Sequence, residues 1–438
     1  MDASSAHNKY SSNWMSLGIR QERDECGRVV RYKTRLVAKG FKQNFGVNFF
    51  ETFSPVANMN SIRVVLSVVV VLEYVTEQSD ADTAFWSGNL NERVYMEVPY
   101  GINNTKNMMC RLDKAIYGLK QAASAWHKTI HRDWCGADEC VYVQMKEGRY
   151  VYVCFYVDDM IIAAKTGEEI QEVKTALKNA SYSAKTLTIR QTRYIDDVVN
   201  RFNQQDAKVV ANPCEAGLKL TKTQSPKTEA EFLLMQGKPY RSLIGCLLYI
   251  TTCTRPDVAY IVTQLSRFLE NPGQQHWKAA IRVSTRELGI VYNGIKGKVE
   301  LCAYTDADWG SNLDDRRSVS GTMIMISGAP IIFKSKYQRT VVPISAEAEY
   351  MALSLCTQEV LWARAMLKDM GHEQVGATQV WEDNQGAIAL ASNAGYNART
   401  KHVDIKHHFI RENVARDVTE VNYIPMKDQL ADMLTKGL

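Results

Sequence analysis

Tyr156-Val157-Asp158-Asp159 stands between two apolar, β-rich runs at 151–155 and 160–164. Runs joined by so short a link fold back on each other as a hairpin, and adjacent acids at its tip repel unless a cation is near. An isolated Asp-Asp pair also reads as an ordinary acidic turn. Further acids follow the same pattern. Gln78-Ser-Asp80-Ala-Asp82-Thr-Ala-Phe85 closes a strand-like stretch, and Tyr117-Gly-Leu-Lys-Gln121, between it and the hairpin, is a glycine turn entering a helical segment. A second, independent set comes later. Ala303-Tyr-Thr-Asp306-Ala-Asp308-Trp309 ends a strand, Glu347-Ala-Glu349-Tyr-Met-Ala352 opens a long helix, Trp381-Glu-Asp383-Asn links a strand to a helix, and Gln429-Leu-Ala-Asp432 follows. Acids at the ends of elements far apart in a chain can converge on one site.

The 438 residues suit two to four domains at about 100 to 200 residues each. An apolar share of 45% with 23% charged lies outside the disordered range. The net charge of +5 permits a nucleic-acid partner without requiring one. The longest apolar run, 64–72, is broken by Ser67 and flanked by Arg63 and Glu73. It falls short of the roughly 20 residues of a membrane helix, so no membrane partner is expected. The ten cysteines form no C-x-x-C pair and read as free, mostly buried thiols. With no secretory leader visible at Met1-Asp-Ala-Ser, a reducing compartment is expected. Neither G-x-x-x-x-G-K-S/T nor G-x-G-x-x-G occurs, so any phosphate chemistry would rely on metals.

Strand-like runs at 29–37, 64–71, 151–157, 298–304, 321–327 and 379–381 alternate with helical patterns. The clearest helix is expected at 347–370, with Ser345 as a candidate N-cap and Gly371 past its end. A polar, turn-rich stretch at 212–238 reads as a domain linker, and a second break falls at 293–298.

Strand acid, Gly-Leu-Lys-Gln turn and Y-x-D-D hairpin, in that order, resemble motifs A, B and C of reverse transcriptases. Arg35-Leu-Val-Ala-Lys-Gly-Phe41, Glu51-Thr-Phe-Ser-Pro55, Val94-Tyr-Met-Glu97 and Tyr117-Gly-Leu-Lys-Gln121 sharpen this to the copia-type LTR retrotransposons. Tyr240-Arg-Ser-Leu-Ile-Gly245, Thr254-Arg-Pro-Asp257 and Gln275-His-Trp-Lys278 look like that family's connection region. Thr305-Asp-Ala-Asp-Trp309, Ala346-Glu-Ala-Glu-Tyr350, Glu382-Asp-Asn-Gln-Gly-Ala387 and Ala431-Asp-Met-Leu-Thr-Lys436 resemble its ribonuclease H. The resemblance implies an α+β chain: partly deleted right-hand fingers and palm at 1–211, linker and connection at 212–298, and an α/β ribonuclease H-like domain at 299–438.

On that resemblance Asp80 and Asp158 hold metal, with Asp159 beside them, while Asp82 is left out. Phe85 lies under the sugar, or is plain core. Gln121 touches template or incoming base. Lys33 and Arg35 contact the triphosphate, or form a solvated basic face. Asp306, Glu349, Asp383 and Asp432 are the ribonuclease H ligands, Glu349 being chosen over Glu347 by the pattern Glu, bulky, apolar, Ala, and Asp428 being the rival of Asp432. His402 and His408 assist proton transfer or are structural. Each site implies two Mg2+, with Mn2+ as substitute, because phosphoryl transfer at paired metals needs hard carboxylate ligands. The implied partners are an RNA template, a DNA primer, the RNA:DNA hybrid, deoxynucleoside triphosphates and other polyprotein products. The implied location is the cytoplasm, in a virus-like particle for an active element, or the nucleus.

The chain departs from the family at Gln121-Ala-Ala-Ser-Ala-Trp126, where Gln-Ala-Pro-Arg-Ala-Trp is usual, and is shortened in three places. His127-Lys-Thr-Ile-His-Arg132 runs abruptly into Asp133, a turn and strand are missing near 180–187, and the helix end at 281–288 is shortened. Two expectations therefore stand: an RNA-directed DNA polymerase with a ribonuclease H, or a decayed copy retaining at most ribonuclease activity or nucleic-acid binding.

Overall fold

The structure, a computed structural model, describes residues 15–23, 28–80, 85, 88–97, 109–130, 138–146, 148–157, 159–177, 186–205, 218–282, 288–293, 298–392 and 404–437. The shortened joins at 132/133 and 180–187 fall outside the described residues or at their edge. The chain divides into two compact units, Met1–Ala57 with Thr76–Tyr182, and Asn58–Val75 with Ser183–Leu438.

In the first unit β1 (Met15–Arg23) and β2 (Val29–Ala38) form an antiparallel ribbon. After α1 (Met59–Val71), which belongs to the second unit, come β3 (Val75–Asp80), β4 (Asn89–Glu97), β5 (Met109–Lys114) and α2 (Ala122–Ile130). Then follow β6 (Val141–Lys146), β7 (Arg149–Tyr156), β8 (Asp159–Ala164) and α3 (Gly167–Leu177). Strands β3-β8-β7-β6 make one sheet, in which β6, β7 and β8 run antiparallel. Val151, Tyr152, Cys154 and Phe155 of β7 and Met160, Ile162, Ala163 and Ala164 of β8 are buried, as the two apolar runs lead one to expect.

In the second unit β9 (Thr186–Ile189), α4 (Thr192–Arg201), α5 (Glu229–Gln236), α6 (Tyr240–Thr254), α7 (Ala259–Ser266), α8 (Gln274–Ile281) and β10 (Ile290–Asn293) precede a larger sheet. That sheet is built from β11 (Leu301–Asp308), β12 (Val319–Ile326), β13 (Ala329–Tyr337), β14 (Thr378–Glu382) and β15 (Thr419–Tyr423). Helices α9 (Ser345–Asp369), α10 (Gln385–Ser392) and α11 (Asp404–Ala415) complete it. The strand order is β13-β12-β11-β14-β15. β12 is antiparallel to both neighbours, while β14 is parallel to β11 and β15.

Three expectations are corrected. The run at 64–71, read as a strand, is helix α1: the Asn58 side chain caps it by accepting from the Asn60 N–H at 2.9 Å. A run buried throughout has no polar face to reveal its period, so helix and strand look alike. Ser345 is the first helical residue of α9 and Ile344 the cap position, although Gly371 does follow the end, at φ 82°. The described part of the turn-rich stretch at 212–238 is folded. Thr228 and Glu231 form a capping box on α5, and the Lys222 N–H bonds to Asp314 Oδ1 at 3.0 Å.

The second unit takes in residues ahead of the turn-rich stretch as well. β9 pairs with β10, and α4 sends Ile195, Val198, Val199 and Phe202 into a core with Leu243, Ile244 and Leu247 of α6. Arg63 of α1 is buried in the same unit. Its guanidinium donates to the Thr252 and Cys253 carbonyls at the end of α6 and lies over the Phe333 ring, 4.4 Å from its centroid. Among the described residues no helix is long and apolar enough to cross a membrane, and no disulfide is present among the cysteines described.

Candidate active sites

The parallel pairing of β11 and β14 brings the carboxyl ends of both strands to one edge of the large sheet, at the point where the strand order reverses. Asp306, on β11, is 1% exposed. Asp383 directly follows β14, and Glu349 lies in the early turns of α9, which packs across β11 and β12. Carboxylate oxygens of Asp306, Glu349 and Asp383 lie within 4.8 Å of one another. Glu347, the rival two positions earlier, is buried but outside this trio.

The fourth acid arrives by way of a glycine. Gly321 pairs with Asp306 across β11 and β12. A Cβ at Gly321 would meet Ala431 O at 2.9 Å and Thr435 Cγ2 at 2.8 Å, so the bare backbone is what lets the C-terminal segment lie against the sheet. That contact sets Asp432, Thr435 and Lys436 over the acids. The Thr435 hydroxyl donates to Asp306 Oδ2. Lys436 Nζ lies 2.7 Å from Asp432 Oδ1 and 3.4 Å from Asp306 Oδ1. Asp432 is buried and Asp428, its rival, is exposed.

Burial dominates the electrostatics. It lifts Asp306 to about 6, against the Thr435 hydrogen bond and the nearby Lys436 charge. Asp308 is also lifted by burial to about 6, while its oxygens accept from Ser311 and the Val319 N–H. Glu349 is raised by burial and then by Glu382, and Glu382, fully buried, is raised well above its ordinary value by burial. Glu349 Oε2 and Glu382 Oε2 have no hydrogen-bond partner. Crowded, partly unsatisfied carboxylate oxygens fit a hard divalent cation, which would relieve both the burial and the repulsion. Glu382 and Lys436 were not singled out in the sequence. His402 lies outside the described residues, and His408 is exposed on α11.

The first unit holds the other set. Tyr156 pairs with Asp159 across β7 and β8, and Val157 stands at φ 64°. Asp159 is exposed; Asp158 lies outside the described residues. Asp80 closes β3, the strand beside β8, with its side chain outside what is described. The same holds for the side chains of Lys33 and Arg35, which sit on β2 opposite Arg20 and Gly18. Phe85 is buried, edge-on to Tyr117 at 4.6 Å. The Gln121 amide donates to Asn48 O and accepts from Gln43 Nε2, both at 2.9 Å. It also lines a cavity of about 560 Å³ with Glu51, Asn89, Ser124 and Lys128.

Residues 4–188 match the family model described as reverse transcriptase (RNA-dependent DNA polymerase). The chain is 37% identical to the retrovirus-related Pol polyprotein from transposon TNT 1-94 of Nicotiana tabacum, over 95% of this chain and 34% of that protein. It is 35% identical to the retrovirus-related Pol polyprotein from transposon RE2 of Arabidopsis thaliana, over 94% of this chain and 30% of that protein. The chain thus spans about a third of the length of these relatives. Among solved structures, a ribonuclease H1 isolated from compost superposes on 31% of this chain and 92% of its own, at 18% identity and a TM-score of 0.25. The foamy viral protease-reverse transcriptase superposes on 95% of this chain and 66% of its own, at 10% identity and a TM-score of 0.19. Superpositions this loose bear no weight. The matched domain and the chain-long identity do: the chain carries a reverse transcriptase domain and is similar, over most of its length, to the Pol polyproteins of copia-type transposons.

Proposed function

We propose that the chain is an RNA-directed DNA polymerase and RNA:DNA-hybrid ribonuclease that copies the element's RNA into DNA. Fingers and palm would lie within 1–211, the connection within 212–298 and the ribonuclease within 299–438. One observation carries the ribonuclease half: the oxygens of Asp306, Glu349 and Asp383 gathered within 4.8 Å at the carboxyl edge of a mixed sheet. The reverse transcriptase match over 4–188 supports the polymerase half.

Paired Mg2+ ions, or Mn2+ in their place, would supply the charge that activates the attacking oxygen and stabilises the leaving one. Asp306, Glu349, Asp383 and Asp432 would hold them in the second unit, and Asp80 and Asp158, with Asp159 beside them, in the first. The chain's own part is positioning. β11 and α9 fix Asp306 and Glu349 on rigid elements, so little reorganisation accompanies the reaction. The Phe85 ring, braced by Tyr117, would lie under the sugar. Gln121 borders a cavity of a size that suits a nucleotide, with template or incoming base as its partner. Lys33 and Arg35 would meet the triphosphate.

Asp158→Asn is expected to lower primer extension on an RNA template at least about a hundredfold and to spare hybrid cleavage, and Asp383→Asn to do the reverse. Loss of both activities in either variant would overturn the two-site reading. The shortened joins near 132/133 and 180–187 favour a second reading, a decayed copy keeping only the ribonuclease or nucleic-acid binding. Extension by a chain with those segments restored, and none by this one, would be its signature.

A further inference from the structure

The C-terminal turn brings a cation from within the chain to the carboxylate cluster. Lys436 Nζ reaches Asp432 Oδ1 at 2.7 Å and Asp306 Oδ1 at 3.4 Å, while Thr435 occupies the other Asp306 oxygen. Both oxygens of Asp306 are therefore engaged, and an ion that bonds to Asp306 must share or take over one of them. The two donors differ in how easily they yield. Thr435 is 1% exposed and pressed against Gly321. The Lys436 side chain is 37% exposed, on a flexible four-carbon stem. The oxygen that Lys436 engages is the one readily released.

Charge leads to the same place. An ammonium group at hydrogen-bond distance offsets the mutual repulsion of Asp306, Asp432 and Asp383 when no ion is bound. A divalent cation at the same oxygens repels it.

We infer that Lys436 is a built-in competitor for the divalent-ion site: its ammonium group bridges Asp306 and Asp432 in the metal-free protein and withdraws to solvent when the ion binds. It thereby sets the ion concentration at which the site fills. The inference rests on the ribonuclease reading of this cluster.

The test follows the Asp383-dependent part of Mn2+ binding to the full chain by calorimetry. Lys436→Met is expected to bind Mn2+ about tenfold tighter than the native chain, a figure set by a nearby unit charge in a partly solvated site. Lys436→Arg, which keeps the charge, should stay nearer the native value. A second measurement needs no variant. Acetylation of Lys436 by an N-hydroxysuccinimide ester, read by mass spectrometry, should speed up severalfold when Mn2+ is added. Equal or weaker Mn2+ binding by Lys436→Met, or acetylation that Mn2+ leaves unchanged or slows, would overturn the inference. If Asp383→Asn fails to weaken Mn2+ binding, the reading of the cluster as a metal site fails. If it weakens binding and Lys436→Met does not tighten it, only the role of Lys436 fails.

Discussion

Asp306 is 1% exposed at the middle of a five-stranded sheet, surrounded by acids from three other stretches of chain, whereas Asp159 is exposed where a hairpin enters its second strand. The first arrangement depends on long-range packing: the parallel β11–β14 register, α9 lying over the sheet, and a C-terminal segment seated on Gly321. The second depends on local turn geometry, with water to screen the charges. Burial lets the first cluster act at short range in a low dielectric, and it lifts the carboxyl pKa values while no ion is bound. Packing changes should therefore break the buried site, and single hydrogen bonds should tune the exposed one.

Gly321→Ala is the strongest test of that contrast. Its Cβ would stand 2.9 Å from the Ala431 carbonyl oxygen, a backbone atom that cannot swing aside. The second unit is expected to lose about 3 kcal/mol, as overpacked cores do, and hybrid cleavage to fall with it. Primer extension should persist. Thermal unfolding together with both assays checks this; native-like melting with native cleavage would mean that the segment bearing Asp432 does not depend on the glycine.

The pH response comes next. Burial raises Asp306 from its ordinary 3.8 to about 6, so the folded protein binds this proton more tightly than the unfolded chain does. The resulting stability is complete below about 3.8 and lost as pH rises through about 6. Burial holds His276 and His372 below their ordinary 6.5, which acts in the opposite sense, so the informative quantity is a difference between proteins. In chelator, Asp306→Asn should gain on the native chain by on the order of 2 kcal/mol between pH 4 and 7. Saturating Mg2+ should reverse the ranking at pH 7. A difference that does not vary with pH in urea titrations would mean Asp306 is ionised throughout.

The acids themselves were legible because each closes or opens an element, where an apolar run stops and a carboxylate begins. What surrounds them was not. Glu382 is one step from Asp383, and nothing in the spacing tells a fully buried glutamate from an exposed one. Lys436 stands four residues after Asp432, a pattern that on a helix surface marks an ordinary ion pair; only the glycine contact turns it inward. The same limit explains α1. Val64 to Val71 are buried throughout, so the period vanished and the Asn58 cap was the remaining signal of a helix. In the turn-rich stretch, the capping box of Thr228 and Glu231 was readable and was outweighed by the polar residues around it.

The smallest effect is expected at the exposed site. The Trp126 indole N–H donates to the Val157 carbonyl at 3.1 Å. Val157 stands at φ 64°, a left-handed conformation that β-branched residues avoid, so the turn needs outside support. Trp126→Phe keeps an aromatic ring on α2 and removes the donor. The loss of one such bond is worth about 1 kcal/mol, or roughly a fivefold fall in primer extension if the turn must hold its shape during the reaction. Hybrid cleavage, which depends on other elements, should not change. A fall in both activities would mean that Trp126 supports the chain more broadly than the hairpin, and no fall in either would mean that the turn holds its strained valine without the indole.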